Sequence, residues 1–466
     1  MFTSKHRFVI SVIIIGFLTA LPYIIYTRVN IERLQSPQYI TMRNNINLEA
    51  DERLFDFIPS SGFSEEDSSS LKNKTADKIK IYIYQLDDRF NMNITTCLSD
   101  PTNKPLHGRG CNYFNYQGYG KTLETMDKEG YVVTSQCQFG LEPIFHNKLL
   151  RSGLVTKDAS KADLFYIPYY AGLSCFCGRG FKTLEKIVWT IIKTSAFFKK
   201  GKPHFMALST VQRDLHLGGW VNGCSFLSGR PRAEHMKFVI IEGAPSQPDL
   251  IPAPYPSYIH YLRPNAHVAI DNARPIHVLM AGNPMTAFRK YLKLELDDEY
   301  KKYKGTGRYS LCLQTHSVNY TRLGYKTFQA LLTATMRNAT FCLQPHGDTP
   351  TRKSFFDGLL SGCIPVIFTN HSAYYPFIDM QHAGFPYPYH TFTILLNEED
   401  IMKNKRSVLK LLGDIPTETI RKMQERIVEI GKYFQYGFYD DDDDAFTLTI
   451  QNVMNKFHIK NKTSHS

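Results

Sequence analysis

Apolar positions along this chain fall into three regimes. From Phe8 to Tyr26 they form a run of about nineteen residues, long enough to cross a bilayer as a helix, broken only by Ser11, Gly16, Thr19 and Pro22 and free of formal charge. From Val29 to about Asp77 the pattern dissolves into polar residues, with Ser-Glu-Glu-Asp-Ser-Ser-Ser at Ser64 to Ser70, the composition of a flexible spacer. At Lys78 a period of two sets in, Ile79, Ile81 and Ile83 alternating with Lys80, Tyr82 and Tyr84, which predicts a first strand.

Downstream the pattern alternates between short apolar runs and amphipathic stretches. Ala162–Pro168 and Lys237–Ile241 read as buried strands closed by Pro or Gly, with a helical stretch from Phe181 to Phe198 between them. The rhythm restarts at His277–Gly282, after a crossing marked by Pro252, Pro254, Pro256, Pro264 and Pro275. In this second part Phe341–Leu343 is predicted as a strand, Lys353–Leu360 as a helix and Ile364–Phe368 as the next strand. The expected organisation is a tail at 1–7, an anchor at 8–26, a stem at 27–77, and two α/β domains at 78–270 and 271–466. Two such domains facing each other bind ligands at the carboxyl ends of their strands.

Composition narrows the choice of partner. The chain carries a formal charge of +12 and a pI near 9.1, which suits an anionic ligand, but Lys and Arg are scattered with no dense basic tract. That argues for phosphates on a small molecule and against nucleic acid. The apolar run exceeds the core of an ordinary signal peptide and no small-x-small cleavage site follows it, so an uncleaved anchor is expected, although Lys5, Arg7, Arg28 and Arg33 flank it too evenly to orient it. Sequons at Asn73, Asn93, Asn319, Asn338, Asn370 and Asn461 are compatible with a lumenal domain. In that compartment Cys97, Cys111, Cys137, Cys175, Cys177, Cys224, Cys312, Cys342 and Cys363 predict up to four disulfides and one thiol left over. Cys175-Phe-Cys177 lacks zinc-site spacing, no metal motif accompanies it, and no metal is expected. Asp440–Asp444 reads as a solvated loop or a helix start, since consecutive aspartates cannot all face one ion.

The segment Gly347-Asp348-Thr349-Pro350-Thr351-Arg352-Lys353-Ser354 carries the chemistry. It reads as a strand-to-helix turn with cations at the helix start, where they oppose the helix dipole unless an anion sits there. A diphosphate is the candidate anion, and Asp357, one turn into the helix, is placed to bond ribose hydroxyls. The bland alternative is that Thr349 or Thr351 caps the helix while Arg352 and Asp357 pair on its surface.

The run from Phe341 to Val366, Phe-Cys-Leu-Gln-Pro-His-Gly-Asp-Thr-Pro-Thr-Arg-Lys-Ser-Phe-Phe-Asp-Gly-Leu-Leu-Ser-Gly-Cys-Ile-Pro-Val, resembles the hallmark of exostosin-like glycosyltransferases, family 47. Leu141-Glu-Pro-Ile-Phe-His146, Leu149-Leu-Arg-Ser-Gly153, Ala162–Pro168, Asp249-Leu-Ile-Pro252 and Pro254-Tyr-Pro256 match the family in order. Ile167–Leu173, Phe341–Pro345 and Asp444-Ala-Phe446 are most similar to the plant xyloglucan galactosyltransferase branch. His346 stands where that branch usually has a second proline, and Gly201-Lys-Pro-His-Phe205 replaces its usual Gly-Arg-Asp-His-Phe.

The resemblance implies an α/β GT-B fold of two facing Rossmann-like domains, Golgi type II anchoring, and inverting transfer of a sugar from a UDP-sugar to a polysaccharide or glycan. The UDP-sugar is the donor substrate and no cofactor is implied. Galactose is the favoured sugar, with glucuronate, N-acetylglucosamine, arabinose and xylose as alternatives, and a homo- or hetero-oligomer with other glycosyltransferases is an expected partner; the rival of another class is a catalytically silent partner subunit. Asp357 stands where many such enzymes place a ribose-binding carboxylate. Arg289, Arg352 and Lys353, with Gly347, Asp348, Thr349 and Ser354, are the implied donor-binding set. The general base that such an inversion needs is expected from the first domain, where Glu142, His146, His204 and Asp249 lie in family-like motifs and none stands out.

Overall fold

The computed structural model describes residues 79–99, 115–126, 128–177, 181–216, 226, 233–243, 247–262, 266–270, 273–303, 308–314, 319, 321–372, 387–438 and 444–459. The expected tail, anchor and stem, and the sequons Asn73 and Asn461, lie outside these residues.

The chain enters as β1 (Ile81–Ile83), forms the hairpin β2 (Thr122–Met126) and β3 (Tyr131–Thr134), and continues through α1 (Leu141–Arg151), β4 (Val155–Thr156) and β5 (Leu164–Tyr166). Helices α2 (Ala171–Cys177) and α3 (Phe181–Thr194) lead to β6 (His204–Val211), β7 (Met236–Glu242) and β8 (Leu250–Pro252). These strands build a six-stranded parallel sheet in the order β4-β1-β5-β6-β7-β8. Every residue of β5, β6 and β8 is buried, which is why they read as unbroken apolar runs rather than as alternation. Pro252 is tolerated because β8 is an edge strand.

The proline-rich crossing contributes β9 (Ile259–Tyr261), which pairs antiparallel with β3. The second domain follows as β10 (Ile276–Ala281), α4 (Ala287–Tyr303), β11 (Tyr309–Leu313), α5 (Phe328–Arg337), β12 (Ala339–Gln344), α6 (Lys353–Leu360), β13 (Ile364–Ile367) and β14 (Ile394–Leu395). Its five strands are also parallel, in the order β11-β10-β12-β13-β14. Helices α7 (Glu398–Asn404), α8 (Thr417–Ile430) and α9 (Ala445–Lys456) close the chain.

The last helix does not stay with the second domain, where the 271–466 boundary would put it. Asp444 caps α9 by accepting the Thr447 N–H at 3.0 Å, and its carboxylate lies 2.8 Å from Lys148 of α1, both side chains essentially inaccessible. Phe446 packs on Phe145, ring centroids 4.9 Å apart, and Lys237 of β7 lies over the Phe457 ring. Asp444 is therefore a helix start with a structural counter-ion.

Cys342 and Cys363 form a disulfide that ties β12 to the entry of β13, beneath α6. Cys137, Cys175 and Cys177 are also disulfide-bonded, and Cys312 is buried and in no disulfide. Among the described sequons, Asn93 and Asn319 are exposed, while the Asn338 side chain donates to the Ala334 carbonyl.

Candidate donor site

Parallel strands leave all their carboxyl ends on one edge of a sheet, and the edge of the second sheet opens into a cavity of about 550 Å³. Its lining comes from three strand ends: His346–Pro350 after β12, Phe368–His371 after β13, and Asn397–Glu399 after β14. His346 Nδ1 lies 2.9 Å from Glu398 Oε2 across this space. Asn370 of the predicted sequon lines it as well, so a glycan there would stand in the cavity.

Two cations converge on Gly347 from behind this lining: Arg289 and Arg352 border the tight crevice next to it, with Gly282, Gln344 and Ser354, and not the cavity itself. Arg289, 6% exposed, reaches from α4 and donates from Nη2 to the Pro345 carbonyl at 2.9 Å and from Nη1 to the Asn283 carbonyl at 3.2 Å, while its Nε has no partner. Arg352 precedes α6 in extended conformation, and no hydrogen bond or ion pair to another described residue holds its guanidinium. A Cβ on Gly347 would collide with the Arg352 guanidinium and stand 3.1 Å from Arg289 Nη2, so only glycine lets both approach this loop. Burial first, and then the Arg352 charge, push Arg289 down to about 10. Two like charges gathered in a buried corner, one with an unpaired N–H, make a site for an anion.

The other predicted donor residues are placed differently. Lys353 does not border this crevice. Its ammonium lies 2.8 Å from both oxygens of Asp357 and 3.1 Å above the Tyr258 ring, and burial pushes it down to about 8. Asp357 is 1% exposed and also accepts the Ser257 hydroxyl at 2.8 Å and the Tyr258 N–H at 3.1 Å. Both residues thus join α6 to the interdomain crossing, and neither lines the cavity, because an i, i+4 spacing points both inward when the apolar face of α6 is buried. The Ser354 hydroxyl donates to Gln344 Oε1 at 2.6 Å. Thr349 donates to Glu242 of β7, and Asp348 offers its carbonyl to Arg213 in the short helix Gln212–His216.

None of the four candidate bases lines this cavity, and they divide between the two edges of the first sheet, with Glu142 near the carboxyl ends of β5 and β6. His204 opens β6 and Asp249 precedes β8, so both stand at the amino edge of the first sheet; over the length of β6 that is about 23 Å from the carboxyl edge. His204 is enclosed by Phe165, Tyr84 and the Lys202 carbonyl. Glu142 is fully buried and accepts the Gly172 and Leu173 N–H groups at 2.7 and 3.0 Å, tying α1 to the start of α2; burial pushes it up to about 8 against those bonds. His146 lies beside it, 3.0 Å from the Tyr170 hydroxyl and pushed down by burial to about 4.

What sequence reasoning missed is Glu242. It ends β7 at the carboxyl edge of the first sheet and touches the Gly347–Thr351 loop from the opposite side. A carboxylate directly after an apolar strand and directly before Gly243 was the available signal.

The exostosin GT47 domain matches residues 75–411. The chain belongs to this family, and with it to the glycosyltransferases. Among curated relatives of this GT47 chain, the Arabidopsis thaliana protein named xyloglucan-specific galacturonosyltransferase 1 is 28% identical over 397 residues, covering 81% of this chain and 57% of the relative. The one named xyloglucan galactosyltransferase MUR3, from the same plant, is 26% identical over 432 residues, covering 86% and 67%. The chain therefore spans less than three fifths of the first relative and about two thirds of the second. Among solved structures, the pneumococcal O-GlcNAc transferase GtfA in complex with UDP and GlcNAc overlaps 72% of this chain and 63% of its own, at 10% identity and a TM-score of 0.32.

Proposed function

We propose that this chain transfers one sugar from a UDP-sugar to a polysaccharide or glycan acceptor, with inversion, as a GT-B enzyme anchored in the Golgi membrane with its two domains in the lumen. The observation that carries the reading is the convergence of Arg289 and Arg352 on Gly347 at the carboxyl ends of the second sheet. In a single displacement the leaving diphosphate gains charge as the acceptor hydroxyl loses its proton, and fixed guanidinium groups stabilise that charge without reorganising. Family membership supplies the reaction class, and the paired arginines supply the group that the donor diphosphate needs. With those cations in place the reaction requires no metal.

Galactose remains the favoured sugar. A uronic acid donor would bring a second anion into a cavity whose lining already carries Asp348, Glu398 and Glu399, with His346 paired to Glu398. A neutral hexose meets no such repulsion. The test is transfer and hydrolysis by the purified full-length protein with a panel of UDP-galactose, UDP-glucuronate, UDP-N-acetylglucosamine, UDP-arabinose and UDP-xylose. Turnover strongest with UDP-galactose supports the reading. UDP binding with no turnover on any donor would favour a catalytically silent partner subunit, and no UDP binding would refute the site.

A further inference from the structure

The loop from Gly347 to Thr351 belongs to the second domain, yet residues of the first hold it. Glu242 Oε2 accepts the Thr349 hydroxyl at 2.9 Å and the Tyr255 hydroxyl at 3.3 Å, while Oε1 accepts the Thr351 N–H at 3.2 Å. Arg213 Nη1 donates to the Asp348 carbonyl at 2.8 Å. Both Glu242 and Arg213 lie at carboxyl ends of the first sheet, so the opposing edge grips the loop at three successive points of the chain, Asp348, Thr349 and Thr351. Glu242 is 8% exposed, and burial of a carboxylate is costly unless its oxygens are hydrogen-bonded; here the bonds come from the other domain and from Tyr255.

We propose that Glu242 is a positioning residue for the donor loop: it sets the register of Gly347–Thr351 from the opposite domain and thereby couples seating of the two domains to donor binding. The proposal rests on the donor-site reading given above. Gly347, which admits the two arginines, and Thr349 and Thr351, which Glu242 holds, are parts of one loop, closed on itself by the Gly347 N–H donating to the Thr349 carbonyl at 3.2 Å. A shift at Thr349 therefore moves Gly347 relative to Arg289 and Arg352. Each hydrogen-bond donor to Glu242 is a neutral group, so the register of the loop depends on the geometry of the acceptor, while the charge of Glu242 is felt separately by Arg352. Glutamine preserves that geometry: its amide oxygen accepts the Thr351 N–H, and its NH2 donates to the Thr349 hydroxyl, which accepts as readily as it donates.

The test is UDP binding by calorimetry on the full-length protein, with the thermal midpoint measured alongside. Glu242→Ala is expected to weaken UDP binding by about tenfold or more, the equivalent of losing two or three neutral hydrogen bonds. Glu242→Gln should recover affinity to within about threefold of wild type. Thr349→Val removes the loop side of the same bond, and the double variant Glu242→Ala with Thr349→Val should bind UDP no more weakly than Glu242→Ala alone, because both act through one contact. Unchanged affinity in folded Glu242→Ala would overturn the proposal, as would Glu242→Gln binding as poorly as Glu242→Ala, which would assign the effect to charge. If Glu242→Ala does not fold, unchanged affinity in Thr349→Val overturns it instead. A wild-type protein that fails to bind UDP would sink the donor-site reading itself, an outcome distinct from any of these.

Discussion

The ammonium group of Lys353 is held 2.8 Å from both carboxylate oxygens of Asp357, and both side chains are buried. The sequence alone suggests a phosphate-binding cation at Lys353 and a ribose-binding carboxylate at Asp357. The structure makes them partners of each other and of Ser257 and Tyr258. Asp357→Asn is accordingly expected to act on folding: leaving Lys353 buried without its counter-charge costs about 3–5 kcal/mol. Denaturant unfolding of the variant checks this. A folded Asp357→Asn protein with wild-type stability and weakened UDP binding would restore the ribose assignment.

Much of the fold was legible in the chain. The strand at Ile81–Ile83 follows from a period-two alternation and those at Leu164–Tyr166, Met236–Glu242 and Ile364–Ile367 from apolar runs suited to doubly covered parallel sheets, and the helix Lys353–Leu360 matches its predicted bounds. Side-chain direction was less legible. Arg352 and Lys353 are adjacent in sequence and equal in charge, yet Arg352 precedes the helix in extended backbone while Lys353 begins it, and that change of conformation sends one to the crevice beside Gly347 and the other inward. Contacts between domains were not legible at all. Glu242 meets a loop more than a hundred residues away, and Asp444 meets Lys148 across nearly three hundred, pairings that no local pattern encodes.

Histidines that burial holds neutral set the acid side of the stability profile. Burial pushes His146, His204 and His277 down to about 4 and His260 down to about 3, each from an ordinary value of 6.5. Below 6.5 the unfolded chain binds protons that the folded one refuses, so each contributes stability that is lost as the pH falls, at up to about 1.4 kcal/mol per pH unit. Glu142, raised from 4.5 to about 8, works in the opposite sense, since its stability is lost as the pH rises from 4.5 to 8. The histidines outweigh the carboxyls between 4.5 and 6.5, and above that Glu142 acts together with Glu242, which burial also raises. The thermal midpoint should climb from pH 4.5 to a maximum near 6.5 and then decline gently. A flat profile across that range would contradict this.

Removal of metal ions should leave turnover intact, because Arg289 and Arg352 already supply fixed positive charge beside Gly347. Initial rates with and without EDTA check this. Complete loss that added metal restores would show that the diphosphate charge is neutralised by an ion instead.

Residues 1–77 should be dispensable for chemistry, as they read as tail, anchor and stem. A secreted form beginning at Lys78 is expected to be soluble and to turn over donor at the full-length rate. A folded but inactive truncation would contradict this.

The most direct measurement is the affinity of the full-length protein for UDP, compared with that of Arg289→Gln and Arg352→Gln. Each variant removes one charge-assisted contact to the diphosphate, worth about 1.5–3 kcal/mol, so each should bind UDP roughly tenfold to over a hundredfold more weakly. Arg352→Gln should change the thermal midpoint little, because relief of the repulsion from Arg289 is offset by the lost attraction to Glu242. Folded variants that bind UDP as tightly as the wild type would contradict the assignment of the donor site.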